Sequence, residues 1–247
     1  VKINICIPFN DLTPPGQIGM VVGKKPSYYN QLVYLIKSIK KNWDSNLLDY
    51  SIHVFHSREL KESKKNQLEA LGCEVINDAE ELIPYLCREN IFKHSMDGDY
   101  TLILDTDMIV LKTPCLEYEK DIYVRKAGNQ AVGNIDKLCG LMDPPPKGKL
   151  HFNAGCILIK NSIKHELYKR SYLNREILDD LLKQNRHLGM QVYISLLIQG
   201  FSWGFLDKGI NVFSQELGSV DRESVSILHY LGEQGYTEKI KKIIETI

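Results

Sequence analysis

Asp105 and Asp107 stand one residue apart in the run Tyr-Thr-Leu-Ile-Leu-Asp-Thr-Asp-Met-Ile-Val-Leu-Lys-Thr-Pro, residues 100–114. The apolar stretch Leu102–Leu104 ends abruptly on Asp105-Thr106-Asp107, and a second apolar run follows at once from Met108. A buried strand does not hold two carboxylates so close, because each costs several kcal/mol to desolvate unless it is paired or bound to metal. At the carboxyl end of a parallel strand they face the crevice where α/β proteins bind ligands. Two acidic oxygen donors there suit a hard divalent cation, and such a cation suits a nucleotide pyrophosphate. The plainer alternative is a pair of solvated turn aspartates, and Asp-x-Asp alone does not choose between the two.

The elements that must position this pair can be read along the chain. Lys2–Phe9 is apolar almost throughout, as a buried parallel strand is, and breaks at Asn10-Asp11. Thr13–Pro26, rich in Pro and Gly, reads as a long loop. Tyr28–Trp43 has helical spacing (Leu32, Leu35, Ile36, Ile39), with the lysines of 37–41 on a solvated face. Strands are expected at Ser51–Phe55, Cys73–Ile76 and Thr101–Leu104, with helices at Glu59–Leu71 and Leu86–Ser95 between them. This alternation predicts a parallel sheet with right-handed crossovers. Farther on, strands are expected at Asp121–Arg125, His151–Lys160 and Phe201–Leu206. Helices are expected at Ile163–Gln184, at Met190–Ile198 with Gly200 as its cap, and at Ile240–Ile247. The stretch Gly128–Lys149 is rich in Gly, Asn and Pro.

A chain of 247 residues, 43% apolar and 25% charged, is long enough for one large α/β domain with a full core. The formal net charge is zero, so no global basic field recruits nucleic acid or an anionic membrane. An anionic ligand must therefore be met locally, by a metal and a few cations. The six cysteines show no Cys-x-x-Cys spacing and read as buried free thiols in a reducing, cytoplasmic setting. No run approaches the ~20 apolar residues of a membrane span, and Val1–Phe9 is too short for a secretory signal.

Four more features recur with Asp105-Thr106-Asp107. Arg88 lies seventeen residues upstream of Asp105, at the start of the preceding helix. A strand is entered through Phe152-Asn153-Ala154-Gly155, Leu206-Asp207-Lys208-Gly209-Ile210-Asn211 follows an aromatic turn, and His229-Tyr230-Leu231-Gly232 follows apolar Val225–Leu228. This ordered set resembles the nucleotide-sugar glycosyltransferases of the GT-A fold, most closely the retaining galactosyl- and glucosyltransferases of glycosyltransferase family 8. The resemblance runs from Ile3 to about Gly232. It implies an α/β, Rossmann-like αβα sandwich around a mixed, mostly parallel sheet. A single domain spans 1–247, with a nucleotide-binding half to about residue 114 and an acceptor half after it.

Carried over by position, the resemblance implies that Pro8, Phe9, Asn10 and Asp11 edge the uridine pocket and that Arg88 reaches the nucleotide sugar. Asp105, Asp107 and His229 would hold Mn²⁺ or Mg²⁺, with the diphosphate of a UDP-hexose completing the shell. Thr106 and Gly232 would line the donor, Asn153 would lie beside the donor sugar, and Asn211 would lie toward the acceptor. Two carboxylates and an imidazole suit Mn²⁺ better than Ca²⁺ or Zn²⁺. The acceptor, whether glycan, lipid or protein, is not readable. The remaining histidines show no ligand spacing.

Two departures stand against the family pattern. Gly189-Met190-Gln191 replaces the family's Asp-Gln-Asp, so Met190 takes the place of the catalytic glutamine and Gln191 can serve only through a shift of one residue. Gly235 stands where a diphosphate-gripping lysine is usual, with Lys239 a turn away. An inverting enzyme would need a carboxylate base, for which Asp143, Asp207 and Asp221 are the candidates. A non-catalytic nucleotide-sugar-binding domain is the alternative these departures favour. A phosphatase of the haloacid dehalogenase type fits poorly, because Met108-Ile109 follow the aspartates in place of Gly-Thr. A nucleotidyltransferase lacks its Gly-rich loop after the first strand.

Overall fold

In the computed structural model, β1 (Lys2–Phe9) is buried on both faces and sits at the centre of the chain's first half. It pairs in parallel with β2 (Asp49–His56) and β4 (Tyr100–Leu104), and β2 pairs in parallel with β3 (Cys73–Asn77). The structure describes residues 1–9, 27–56, 60–77, 87–126, 152–177, 180, 186–198, 200–230 and 238–246; for 87, 88, 186–191, 238, 239 and 241 it describes the backbone. The strand order is β3-β2-β1-β4-β7-β6-β8, completed by β6 (Ile122–Lys126), β7 (Phe152–Lys160) and β8 (Trp203–Phe205). Only β7 is reversed, running antiparallel to both β4 and β6, so a mostly parallel mixed sheet results.

Helices cover both faces. On one side α1 (Tyr28–Asn42) and α2 (Glu62–Ala70) lay Leu32, Leu35, Ile36, Ile39 and Leu68 on Ile3, Ile5, Ile7, Val54 and Leu102. Ser27 caps α1 by accepting from the Asn30 amide at 3.2 Å, and Lys40 and Lys41 close its last turn. On the other side lie α3 (Cys87–Lys93), α4 (Lys164–Leu173) and α5 (Arg186–Ile198), with Ile91, Phe92, Leu167 and Val192 packed on Ile103, Val124 and Ile157. The alternation of Leu102 and Leu104 to one core and Ile103 to the other is the period of two that a strand covered on both faces requires.

A second, three-stranded sheet was not legible in the sequence. β5 (Met108–Val110) pairs antiparallel with β10 (Ile227–His229), which runs parallel to β9 (Val212–Phe213). It packs on α6 (Glu238–Glu245) through Ile109, Leu228, Ile240 and Ile244. Its strands are two or three residues long, too short for periodicity to register.

The expected strands and helices recur with small shifts at their ends, with one substantive correction. The predicted helix Ile163–Gln184 is interrupted at Asn174: α4 ends at Leu173 and helical backbone resumes over residues 175–177. Asn174 leaves the helical conformation and its side-chain amide donates to the Arg170 carbonyl at 2.7 Å, closing the turn on itself. Helix α2 also starts later than expected, at Glu62, and α5 earlier, at Arg186. Cys6, Cys73 and Cys156 are buried free thiols as expected, whereas Cys115 is exposed. Residues Thr13–Pro26 and Gly128–Lys149 lie outside the described residues. Among the described residues no helix is long and apolar enough to cross a membrane.

Leu102 has no exposed surface and lies on the central strand that carries Asp105. Leu102→Ala is expected to cost about 2–5 kcal/mol of folding stability, read from urea unfolding midpoints with an unchanged slope.

Candidate active site

The reversal of β7 creates the site. Because β7 enters the sheet beside the carboxyl end of β4, with Cys156 opposite Leu104, its first residues lie against Asp105. The Asp105 amide donates to the Gly155 carbonyl at 2.8 Å. Asp105-Thr106-Asp107 then turns from the large sheet into β5 of the small one, all three half-buried. Pairing of β5 with β10 sets His229 opposite Met108, and the Tyr230 amide donates to the Asp107 carbonyl at 3.0 Å. The Asp105–Asp107 turn and β10, distant in sequence, thus place one atom each from Asp105, Asp107 and His229 within 4.8 Å of one another.

These groups fit a divalent cation. Two carboxylates and an imidazole supply three donors and leave coordination positions for ligand oxygens. Gly155 keeps the space open. A Cβ there would lie 2.8 Å from His229 Cε1, 2.9 Å from Asp105 Oδ2 and 3.0 Å from Asn153 Oδ1. No side chain but hydrogen is compatible with the cluster at that position.

The imidazole is held by a chain of amides. The Asn211 Nδ2 donates to Asn153 Oδ1 at 3.0 Å, and Asn153 Oδ1 also accepts from the Gly155 amide at 3.0 Å. That fixes the Asn211 amide with its carbonyl toward the ring, where it accepts from His229 Nδ1 at 2.9 Å. Nε2 is therefore the nitrogen turned to the carboxylates, 3.1 Å from Asp107 Oδ1. Asn211 performs this in the left-handed region, φ 60°, a conformation that Asn tolerates better than most residues.

Arg125 anchors the same loop. It follows a β-bulge in β6, donates to the Asn211 carbonyl, and binds both oxygens of Glu216 at 2.6 and 2.5 Å. Its guanidinium stacks 4.0 Å over the Phe213 ring, which in turn packs on His229 with centroids 5.4 Å apart. Sequence reasoning did not find Arg125 or Glu216. The available signal was a charge ending the apolar run Ile122-Tyr123-Val124, where a core strand has no reason to place one.

The other expected residues are distributed as follows. Pro8 is half-buried and Phe9 is buried edge-on to Tyr29 at 6.2 Å, so the Phe9 ring belongs to the core. Arg88 lies in α3 and Gln191 in α5, with their side chains outside the described residues, as are Asn10, Asp11, Gly232 and Asp143 entirely. Asn211, expected toward an acceptor, is completely buried and committed to His229 and Asn153. Asp207 and Asp221 are exposed and accept from the amides of Gly209 and Glu223 in their own turns.

Burial alone would push the His229 imidazole down, but the hydrogen-bonded Asp107 and nearby Asp105 outweigh it and hold the ring above its ordinary 6.5. In the metal-free protein the ion pair therefore contributes stability in full below pH 6.5, and loses it as pH rises through the raised value. Metal binding requires the neutral ring, so Mn²⁺ affinity measured by calorimetry is expected to rise from pH 6 to pH 8, with proton release at the lower pH. Gly155→Ala is expected to lower Mn²⁺ affinity on the order of tenfold or more, read by paramagnetic resonance of free Mn²⁺, with the fold retained by circular dichroism.

No protein-family model matches the sequence, and no curated protein sequence matches it. Solved structures do match its fold. The galactosyltransferase LgtC, in complex with donor and acceptor sugar analogues, superposes with a TM-score of 0.61 at 13% identity, over 100% of this chain and 96% of that one. The glycosyltransferase GlyE of Streptococcus pneumoniae gives 0.61 at 15% identity over 99% of this chain, which spans 59% of GlyE. The bifunctional glycosyltransferase WbbM gives 0.58 at 15% identity over 94% of this chain and 46% of that one. Likeness at such low identity speaks to architecture, and the architecture of this chain is the GT-A fold of the nucleotide-sugar glycosyltransferases.

Proposed function

We propose that this chain is a metal-dependent glycosyltransferase of the family 8 kind. In this reading it transfers a hexose from a nucleotide sugar, a UDP-hexose, to an acceptor with retention of configuration. The observation that carries the reading is the convergence of Asp105, Asp107 and His229 at the carboxyl edge of a GT-A sheet. A nucleoside diphosphate is a poor leaving group until the charge developing on its oxygens is neutralised, and bound Mn²⁺ or Mg²⁺ supplies that as a Lewis acid.

The chain's own residues do the positioning. Asp105, Asp107 and His229 Nε2 hold the cation, and Asn211 keeps Nε2 turned toward it. Asn153 Oδ1 is occupied by Gly155 and Asn211, so its Nδ2 is the group that faces the donor sugar. The carboxyl end of β1, at Pro8 and Phe9, continues into Asn10 and Asp11 to edge the nucleoside pocket, with Thr106, Arg88 and Gly232 completing the donor site. Gln191, on the first turns of α5, is the residue offered to the sugar in place of the family's glutamine. Retention is favoured because the departing phosphate can take the acceptor proton, whereas Asp207 and Asp221 cap their own turns. LgtC binds an acceptor sugar analogue as well as a donor one, and the acceptor here belongs to the half after residue 114. The unpaired thiols Cys6, Cys73, Cys115 and Cys156 fit a reducing compartment, which favours the cytoplasm.

Thermal unfolding with UDP, with and without Mn²⁺, tests the donor site directly. A ligand at a hundred times its dissociation constant adds about 2.7 kcal/mol, a visible rise in Tm. The expected result is stabilisation by UDP only with Mn²⁺ present, abolished in Asp107→Ala. Turnover of one member of a UDP-sugar panel would then separate an enzyme from a non-catalytic binding domain. Indifference to UDP, GDP and other nucleotides in the presence of Mn²⁺ would sink the reading.

A further inference from the structure

A second cluster of chemically capable side chains lies at the other end of the sheet. Asn4, Ser51, His53 and Glu74 share one face of β1, β2 and β3, with Asn4 opposite Ser51 and His53 opposite Glu74. Asn4 is level with Thr101, four residues before Asp105, hence about 13 Å from it along the strand direction at ~3.3 Å per residue. His53 Nε2 is 2.8 Å from Ser51 Oγ, and His53 Nδ1 is 2.8 Å from Glu74 Oε2. Both imidazole nitrogens are thus engaged in the sense that nucleophilic catalysis requires, with Nε2 on the hydroxyl and Nδ1 on the carboxylate.

These groups open on a cavity of about 490 Å³ lined by Lys2, Asn4, Ser51, His53, Glu74 and the segment His94–Asp97. That segment is pinned from behind. Lys164 Nζ donates to the His94 carbonyl at 2.7 Å, and the His94 ring packs edge-on to Phe55 at 5.3 Å. Ile76 and Met96 supply apolar wall. A polar ladder that merely joined strands would be covered, but Ser51 is part-exposed at the cavity while His53 beside it is buried.

We propose that Ser51, His53 and Glu74 form a second catalytic centre, independent of the metal cluster, that hydrolyses short-chain carboxylic esters. Ser51 Oγ attacks the ester carbonyl carbon as its proton passes to His53 Nε2, and the carbonyl π pair moves onto oxygen. Glu74 accepts from Nδ1–H and steadies the imidazolium. Lys2 and the Asn4 amide are the donors that line the cavity for the oxyanion. The Asn4 Nδ2 lies 3.5 Å from the Tyr100 carbonyl and its Oδ1 accepts from Ser51 Oγ at 3.0 Å, so the single hydroxyl proton has two acceptors in reach and turns to His53 Nε2, the nearer at 2.8 Å, for the attack. Collapse of the adduct breaks the bond to the leaving alkoxide, which takes the proton from His53. Water, deprotonated by the same ring, then releases the carboxylic acid and restores Ser51. Burial pushes the His53 imidazole below its ordinary value against the pull of Glu74, which favours the neutral ring that a base requires.

The test is to treat the full chain with a fluorophosphonate probe and map the adduct by mass spectrometry, alongside hydrolysis of p-nitrophenyl acetate. One adduct is expected, on Ser51, with ester hydrolysis lost in Ser51→Ala and reduced at least ~100-fold in Glu74→Gln, both variants melting as the wild type does. An unlabelled Ser51 in the wild-type protein would overturn the proposal without recourse to any variant. So would an adduct elsewhere, or hydrolysis unchanged in Ser51→Ala.

Discussion

The pair formed by His229 and Asp107 is the interaction on which this architecture turns. It gathers an imidazole, buried to 3% exposure, and two carboxylates within 4.8 Å. Like-charged carboxylates at that spacing repel, and a buried charge without compensation is costly. The arrangement answers with an imidazole held above its ordinary value by Asp107 and Asp105, and with Arg125 anchoring the loop behind it. A cation held by the three groups would answer the same charge more strongly.

That interaction accounts for features of the fold that otherwise look arbitrary. A wholly parallel sheet would bring the start of β7 to the wrong edge. Reversing this one strand sets Asn153 and Gly155 beside Asp105. The small sheet closes the circuit, since β5 continues directly from Asp107 and β10 delivers His229 against it. Asn211 must adopt a positive φ to join the two, and Arg125 must leave regular pairing at a bulge to reach the Asn211 carbonyl. Local irregularities concentrate where the site needs them.

The two ends of the large sheet carry different chemistry for a geometric reason. At the carboxyl ends of the parallel strands, loops diverge to the two helical layers and leave a crevice deep enough for a large charged ligand. Toward the amino ends of β1 and β2, polar side chains projecting from neighbouring strands align by register. Ser51, His53 and Glu74 meet there because a strand's period of two places residues 51 and 53 on one face, with Glu74 directly opposite His53. The same rule sends Ile52 and Val54 into the core on the opposite face.

The sequence by itself determined the parts governed by short-range regularity. The apolar strands at 2–9, 100–104 and 152–160 were legible from continuous hydrophobicity, and α1 from its spacing. Asp105 and Asp107 stood out as candidate ligands because an apolar run ends abruptly on two carboxylates, though the pair alone did not exclude a solvated turn. His229 was legible only through the order of surrounding motifs. The tertiary structure alone decided the rest. The β5–β10–β9 sheet is built from strands too short to carry a period. Arg125 and Glu216 lie ninety-one residues apart and show their purpose only when paired. Asn211, expected toward an acceptor, accepts from the imidazole, and the run expected as one helix from Ile163 is interrupted where Asn174 folds its amide back on Arg170. Propensity and hydrophobic pattern act over a few residues and are written locally, whereas register, reversal and long-range hydrogen bonds are settled by which partner each strand meets, and that is decided only when the chain closes on itself.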